Sequence, residues 1–448
     1  MSLRSTKKKV LLISLGILLA FFFLSIVLFT TVDRSPIAEQ TFFEETFESL
    51  NQIPFSSDTG EIWIAGWARE NMTPGQAVDL VGYAPRGPYE FVQDSSFVKA
   101  ISLSNGKTRV AWLNFELLIV HPFLAKSIEA AVRESDLAID QLNFTATHTH
   151  SGMGGYMPGP LGELAFGGFD QAVVDFMVEK SLLSLKKALA TEDSVSISFR
   201  KADAGHLLAN RFVKDGPIDP FARQLIFTRN SGEKATFLTY SAHATCMSTK
   251  FMGLSGDYPF YLMEDLESHE YDFAIYAAGT VGSHRPLRFG NSPKLVADYA
   301  SALDSSIREG VVQFDPILGK ELAIGHLDIA LREPHLRISD NIRIRPWLFD
   351  YLLGDTNPHL NFTRIGNTLM ISSSGELSGV FYKKWEEIAK EKELNLIIST
   401  FNGGYIGYIT PDSLYDEHFH EVREMNWYGP GNGEYFDKLI QAIILKVD

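Results

Sequence analysis

From Val10 to Val32 the chain runs 23 residues without a charged side chain, Val-Leu-Leu-Ile-Ser-Leu-Gly through Leu-Phe-Thr-Thr-Val. A helix of that length crosses a hydrocarbon layer of about 30 Å. The run is longer than the apolar core of a secretory signal, and no small-x-small cleavage site ends it, so an uncleaved signal-anchor is expected. Arg4, Lys7, Lys8 and Lys9 come just before it. By the positive-inside rule the N-terminus is then cytoplasmic and everything after Asp33 lies outside, in the periplasm or extracellular space. No later segment repeats this hydrophobicity, so a single pass is expected. The chain therefore divides into a cytoplasmic N-terminus (1–9), a transmembrane anchor (10–32), a juxtamembrane linker, either spacer or helix (33–52), and one large folded domain (53–448).

About 415 residues follow the anchor, enough for a sizeable buried core. The formal net charge of −15 gives no basic face for phosphate neutralisation, which argues against nucleic acid as a partner. Cys246 is the only cysteine, so no intramolecular disulfide can form. Buried, it reads as an inert thiol rather than as a ligand.

Short β-like runs alternate with amphipathic stretches, the order of an α/β protein built around a mixed sheet. Strands are predicted over Thr108–Val120, Gln141–Thr147, Asp272–Ala277, Leu369–Ser373 and Leu394–Thr400. Gln224–Arg229 and Ala235–Ser241 flank a turn, Asn230-Ser-Gly-Glu, and read as a hairpin. Helices are predicted over Pro122–Ser135 with proline in the first turn, Asp170–Ala190 with Asp170 as N-cap, Ser292–Glu309 stopped by Gly310, and from Glu376 to about Glu393. Asn71, Asn143 and Asn361 each begin an Asn-x-Thr acceptor pattern, but Asn143 falls inside a predicted strand.

Polar side chains recur just past the predicted strand ends, where open α/β sheets place their sites. His148 and His150 share one face two residues apart at the end of the Gln141–Thr147 strand, with Gly152, Gly154 and Gly155 following. Such a pair suits a metal ion with a neighbouring acid or base, or else two hydrogen-bonded structural histidines. His148, His243 and Glu376 form the natural ligand set for a catalytic zinc, each beside small residues. Taken singly, His243 reads as a satisfied core histidine and Glu376 as a carboxylate at a helix start. His326, His335 and His359 read as surface or structural.

Several segments occur together in one order: Thr147-His-Thr-His-Ser-Gly-Met-Gly-Gly-Tyr156, Asn210-Arg211, Ala242-His243, Gly375-Glu376, and Asn402-Gly-Gly-Tyr-Ile-Gly-Tyr-Ile-Thr410 with Tyr415. In these the chain resembles the neutral ceramidase family, the neutral/alkaline non-lysosomal ceramidases. The likeness runs with gaps from about Ile64 to Tyr435, and Thr73-Pro74 and Gly82-Tyr83-Ala84 are similar to the family's opening motif.

The resemblance implies one catalytic zinc ion held by His148, His243, Glu376 and Tyr408, with water activated by the metal. His150 and Arg211 would be catalytic, stabilising the oxyanion and relaying a proton to the leaving amine. Tyr156 and His420 would contact substrate. The implied activity is hydrolysis of the amide of ceramide or a related N-acyl lipid to a fatty acid and an amine. The alternatives are a zinc amidase or esterase of the same fold with another substrate, such as an N-acyl amino acid or envelope component, and a non-catalytic lipid-binding relative. Departures from the family pattern bear on the substrate rather than on the metal set. Gly279 stands where the family has a serine, Ser374 and Met153 stand for prolines, and His420-Glu421 stands for a tyrosine before glutamate. The chain ends at Asp448, before the family's C-terminal β-sandwich would begin.

Overall fold

The computed structural model describes residues 3–55, 58–83 and 86–447, so Ala84 of the opening motif and the terminal Asp448 lie outside the described residues. Its helices are α1 (Leu3–Leu28), α2 (Thr41–Gln52), α3 (Pro122–Arg133), α4 (Pro160–Ala165), α5 (Gln171–Ala190), α6 (Asp257–His269), α7 (Pro293–Glu309), α8 (Pro346–Leu353), α9 (Tyr382–Glu391), α10 (His420–Arg423) and α11 (Asn432–Lys446). Within α1, Lys8–Leu28 is long and apolar enough to cross a membrane, and its side chains up to Val27 are exposed.

Two sheets stack face to face. Among the described residues the larger has nine strands. Its path is Phe273–Ala278, Lys234–Tyr240, Phe221–Arg229, Asp193–Asp203, Ile64–Asn71, Phe97–Ser104, Arg109–Phe115 and Gln141–Ala146, with Val311–Pro316 also on Asp193–Asp203. Most of its pairs are antiparallel, but its two edge pairs, Arg109–Phe115 with Gln141–Ala146 and Lys234–Tyr240 with Phe273–Ala278, are parallel. The smaller runs Asp58–Thr59, Glu321–Asp328, His359–Ile365, Thr368–Ser373 and Asn395–Thr400, the last two parallel. Trp112, Phe237 and Ile275 of one sheet meet Met370 and Ile397 of the other in a shared apolar layer. Strands covered on both faces read as unbroken apolar runs, as Phe273–Ala278 does.

Helices cover the outer faces. α3 and α5 bury Leu124, Ile128, Val174 and Met177 on one half of the large sheet, and α6 and α7 bury Leu262, Leu266, Val296 and Leu303 on the other. α9 and α11 cover the small sheet with Trp385, Leu439 and Ile443. Local signals account for the helix starts. Asp170 caps α5 by accepting from Ala172 N–H at 2.8 Å, while His121 Nδ1 accepts from Phe123 N–H ahead of the proline that opens α3. The segment 33–52 is packed into this body: Ile37 and Leu50 are buried, and Phe42 and Phe43 of α2 lie against the Tyr435 ring. The helix expected to start at Glu376 starts instead at Tyr382, because Glu376 and Leu377 pair in parallel with Tyr408 and Ile409.

Two acceptor patterns fall at the seam between the sheets. Asn361 Nδ2 donates to Asn143 Oδ1 at 2.9 Å, and both residues are buried, which removes them from any glycosylating enzyme in the folded protein.

Candidate metal centre

Four strands end on the same side of the stacked sheets, and each sheet contributes two of the residues that meet there. His148 follows Gln141–Ala146 and His243 follows Lys234–Tyr240 in the large sheet; Glu376 follows Thr368–Ser373 and Tyr408 follows Asn395–Thr400 in the small one. His148 turns inward through a left-handed backbone, φ 62°, which is uncommon for a residue with a side chain. Its ring stacks on Phe401, centroids 4.3 Å apart.

The three imidazoles are oriented by backbone carbonyls. His148 Nδ1 lies 2.8 Å from Leu118 O, His243 Nδ1 2.9 Å from Val281 O, and His150 Nδ1 3.0 Å from Gly82 O. An Nδ1–H donated to each carbonyl leaves each Nε2 with a free lone pair. His148 Nε2 is 3.0 Å from His243 Nε2 and 3.4 Å from His150 Nε2. Glu376 Oε2 lies 3.8 Å from His148 Nε2 and 3.5 Å from His243 Nε2, and the Tyr408 hydroxyl lies 2.9 Å from His243 Nε2. A tetrahedral ion with bonds of about 2 Å sets its ligand atoms about 3.3 Å apart.

Charge and burial agree with that geometry. Burial holds His148 down to about 3 and His150 and His243 well below the usual imidazole value, so all three are neutral and able to coordinate. Burial pushes the Glu376 carboxyl up to about 8, against hydrogen bonds from Tyr405 and Tyr408. Tyr405 donates to Glu376 Oε1 at 2.7 Å, while the buried Oε2 has no partner. His148, His150 and His243 could hold a metal ion; once Glu376 is ionised, its unpartnered Oε2 joins their Nε2 atoms as a donor, and this set fits zinc.

Arg211 reaches the centre from the strand Leu208–Asn210, Nη1 3.3 Å from His243 Nε2, and is fixed from behind by Glu421 at 2.7 Å. Burial would lower its pKa, but Tyr408, Glu421 and Glu376 hold it above the ordinary value. These groups line a cavity of about 430 Å³ with Tyr83, Arg285, Arg288, Phe289 and His420 on its walls. A second, apolar cavity of about 310 Å³ shares Gly82, Leu118, Tyr405, His420 and Met425 with the first and continues past Met157, Leu161, Phe166, Leu353 and Trp427.

The structure thus brings together His148, His150, His243, Arg211, Glu376 and Tyr408, with the exposed His420 at the rim. Tyr156, expected to contact substrate, lines neither cavity: it is fully buried, packs on Phe166, and donates its hydroxyl to Ile119 O. With its one polar atom already bonded in the core, it offers a substrate nothing. The thiol of Cys246 is buried and its pKa pushed well up by burial, as a packing residue's would be. Gly279 lines neither cavity, and a Cβ there would sit 3.1 Å from Tyr240 O. The sequence reading assigned no role to Tyr405 or Glu421, the groups that orient Glu376 and Arg211. Tyr405 lies in an irregular segment and Glu421 in the single turn of α10, and neither stretch is long enough for a periodicity to report the direction of a side chain.

No family model matches the chain, and no curated protein matches it in sequence. Solved structures do. Neutral ceramidase from Pseudomonas aeruginosa superposes with a TM-score of 0.72 at 18% identity, over 87% of this chain and 75% of that one. A ceramidase complexed with C2 gives 0.71 at 18% identity, over 87% of this chain and 76% of that one. At this level of identity the shared property is architecture: the chain has the fold of neutral ceramidase.

Proposed function

We propose that this protein is a membrane-anchored, zinc-dependent hydrolase that cleaves the amide of ceramide or a related N-acyl lipid outside the cytoplasm. The observation that carries the reading is the convergence of His148, His243, Glu376 and Tyr408 with His150 and Arg211, at strand ends in a ceramidase fold. An apolar cavity beside the metal-side one, sharing Gly82, Leu118, Tyr405, His420 and Met425 with it, suits a lipid acyl chain.

His148, His243, Glu376 and Tyr408 would hold the zinc. Bound there, the ion supplies Lewis acidity and brings water into ionisation range near neutral pH. Arg211, braced by Glu421, directs its guanidinium at the oxyanion that forms when water adds to the amide carbonyl. His150, its Nδ1 tied to Gly82 O, keeps Nε2 free to take a proton and return it to the leaving amine nitrogen. Tyr405 holds Glu376 in place through Oε1, leaving Oε2 toward the imidazoles.

A second reading is favoured by one observation: the exposed Arg285 and Arg288 stand on the wall of the metal-side cavity. Two cations there suit an N-acyl amino acid or another amide with an anionic head.

Metal analysis of the purified full chain, with turnover of fluorescent ceramide and a panel of N-acyl lipids, tests both readings. About one zinc per chain and ceramide hydrolysis, both lost in Glu376→Ala, are expected. A zinc-loaded enzyme that leaves ceramide intact but cleaves anionic amides would favour the second reading. A folded, metal-free protein would sink both.

A further inference from the structure

α1 is joined to the folded body without slack. Its last carbonyls, which a free helix end would leave to water, are taken by the start of α8: Arg345 N–H donates to Leu28 O at 2.9 Å, Arg345 Nε to Ile26 O at 2.7 Å, and Trp347 Nε1 to Val27 O at 3.3 Å. The very next residues, Phe29–Thr31, pair antiparallel with Ile342–Ile344. Where α1 leaves the bilayer, α8 therefore begins.

α8 has two faces. Phe349 and Leu353 are buried, Phe349 against Trp427, and Leu353 on the wall of the apolar cavity. Trp347 and Tyr351, one turn apart, point outward with relative exposures of 50% and 66%. α4 abuts the far end of α8, its preceding Gly159 lying against Leu352 O, and α4 supplies Leu161 and Ala165 to the same cavity. One short helix thus links the end of α1, an exposed Trp–Tyr pair and the wall of the apolar cavity that adjoins the metal-side one. Tryptophan and tyrosine with one apolar and one polar edge are the residues that settle at the bilayer–water interface.

We infer that the outer face of α8 lies in the interface of the bilayer that α1 spans, so that a lipid substrate passes from the membrane between α8 and α4 to the metal centre. The occupant of the face is the lipid headgroup and upper acyl region, continuous with the lipid around α1. The substrate route rests on the proposed lipid amidase activity; the docking of α8 rests only on α1 spanning the membrane.

The buried Cys246 leaves the surface free of thiols, so a single introduced cysteine can carry an environment-sensitive fluorophore. The full chain bearing Tyr351→Cys is labelled and reconstituted in phosphatidylcholine vesicles, with Ser231→Cys, on an exposed turn at the other end of the large sheet, as reference. Acyl-brominated phosphatidylcholine should quench the label at 351 by about twofold or more and leave that at 231 unchanged. An unquenched label at 351 overturns the docking, and so does a label shielded from water yet insensitive to bromine, which would mark a protein on this face. In a second arm, Trp347→Asp with Tyr351→Asp should slow turnover of ceramide in vesicles about tenfold while sparing a short-chain substrate free in solution. Equal loss on both substrates overturns the route. If the parent chain hydrolyses neither, the lipid amidase reading has failed and the route fails with it, while quenching still decides the docking.

Discussion

Glu376 and Tyr408 are direct partners in a two-residue parallel ladder, Glu376–Leu377 on Tyr408–Ile409. The pairing brings an acid and a phenol from two separate loops to one spot by backbone hydrogen bonds, before any metal is considered. A ladder this short depends on its flanks: Glu376 N–H donates to Gly407 O at 3.0 Å and Tyr408 N–H to Met425 O at 2.9 Å.

Tyr405→Phe removes one hydroxyl, the donor to Glu376 Oε1. Zinc affinity, measured by competition with a fluorescent chelator, should fall about 10–100-fold with the fold unchanged, as for other groups that orient a metal ligand. Affinity equal to that of the parent would show that Tyr405 does not orient the carboxylate.

His150→Gln separates two roles for the third imidazole. Acting on protons, His150 should cost about 10²–10⁴ in kcat on removal and leave zinc content unchanged. Loss of zinc together with activity would make it a ligand, which its Nε2, 3.4 Å from that of His148, is close enough to be.

Arg211→Lys keeps the charge but loses the fork that reaches both His243 and Glu421. The expected outcome is a drop in kcat of about 10²–10³ with bound zinc retained. If KM rises and kcat stays constant, Arg211 binds substrate instead of the transition state.

Gly82 has φ 94°, and a Cβ on it would sit 2.6 Å from the Cα of His150. Gly82→Ala should therefore destabilise the protein by about 1–3 kcal/mol and displace His150 even where the fold survives. Chemical denaturation gives the first, and kcat of the folded fraction gives the second.

Burial holds His359 down to about 4, its ring fixed by Asn357 O at 2.9 Å and Asn402 Nδ2 at 3.1 Å. Because the folded state resists protonation that the unfolded chain accepts near 6.5, stability should fall as pH drops from about 6.5 toward 4. His359→Gln should lose less stability than the parent between those pH values in denaturant titrations. An identical pH dependence in the two proteins would assign the acid sensitivity elsewhere.

Much of the site could be read from residues at strand ends. The alternation Leu142, Phe144, Ala146 points to a strand that delivers His148, and the structure has one there. Proline and aspartate at helix starts located α3 and α5. What escaped was anything set by contact between distant segments. The stacking of two sheets leaves no mark in strands that are apolar throughout, and Tyr156 looks the same in sequence whether its hydroxyl meets Ile119 or a ligand. The pairing of Glu376 with Tyr408 turned an expected helix start into a strand.

The hydrogen bonds from Arg345 and Trp347 to the last turn of α1 bear on kinetics as much as on structure. With α1 spanning a bilayer, as proposed, the domain bolted to it would not tumble; it would drift in two dimensions with one side always toward the lipid. For such an enzyme the relevant concentration is the mole fraction of substrate in the membrane. Adding inert phospholipid at constant total substrate should slow turnover of a reconstituted preparation, whereas diluting the whole suspension with buffer should leave the rate per enzyme unaltered.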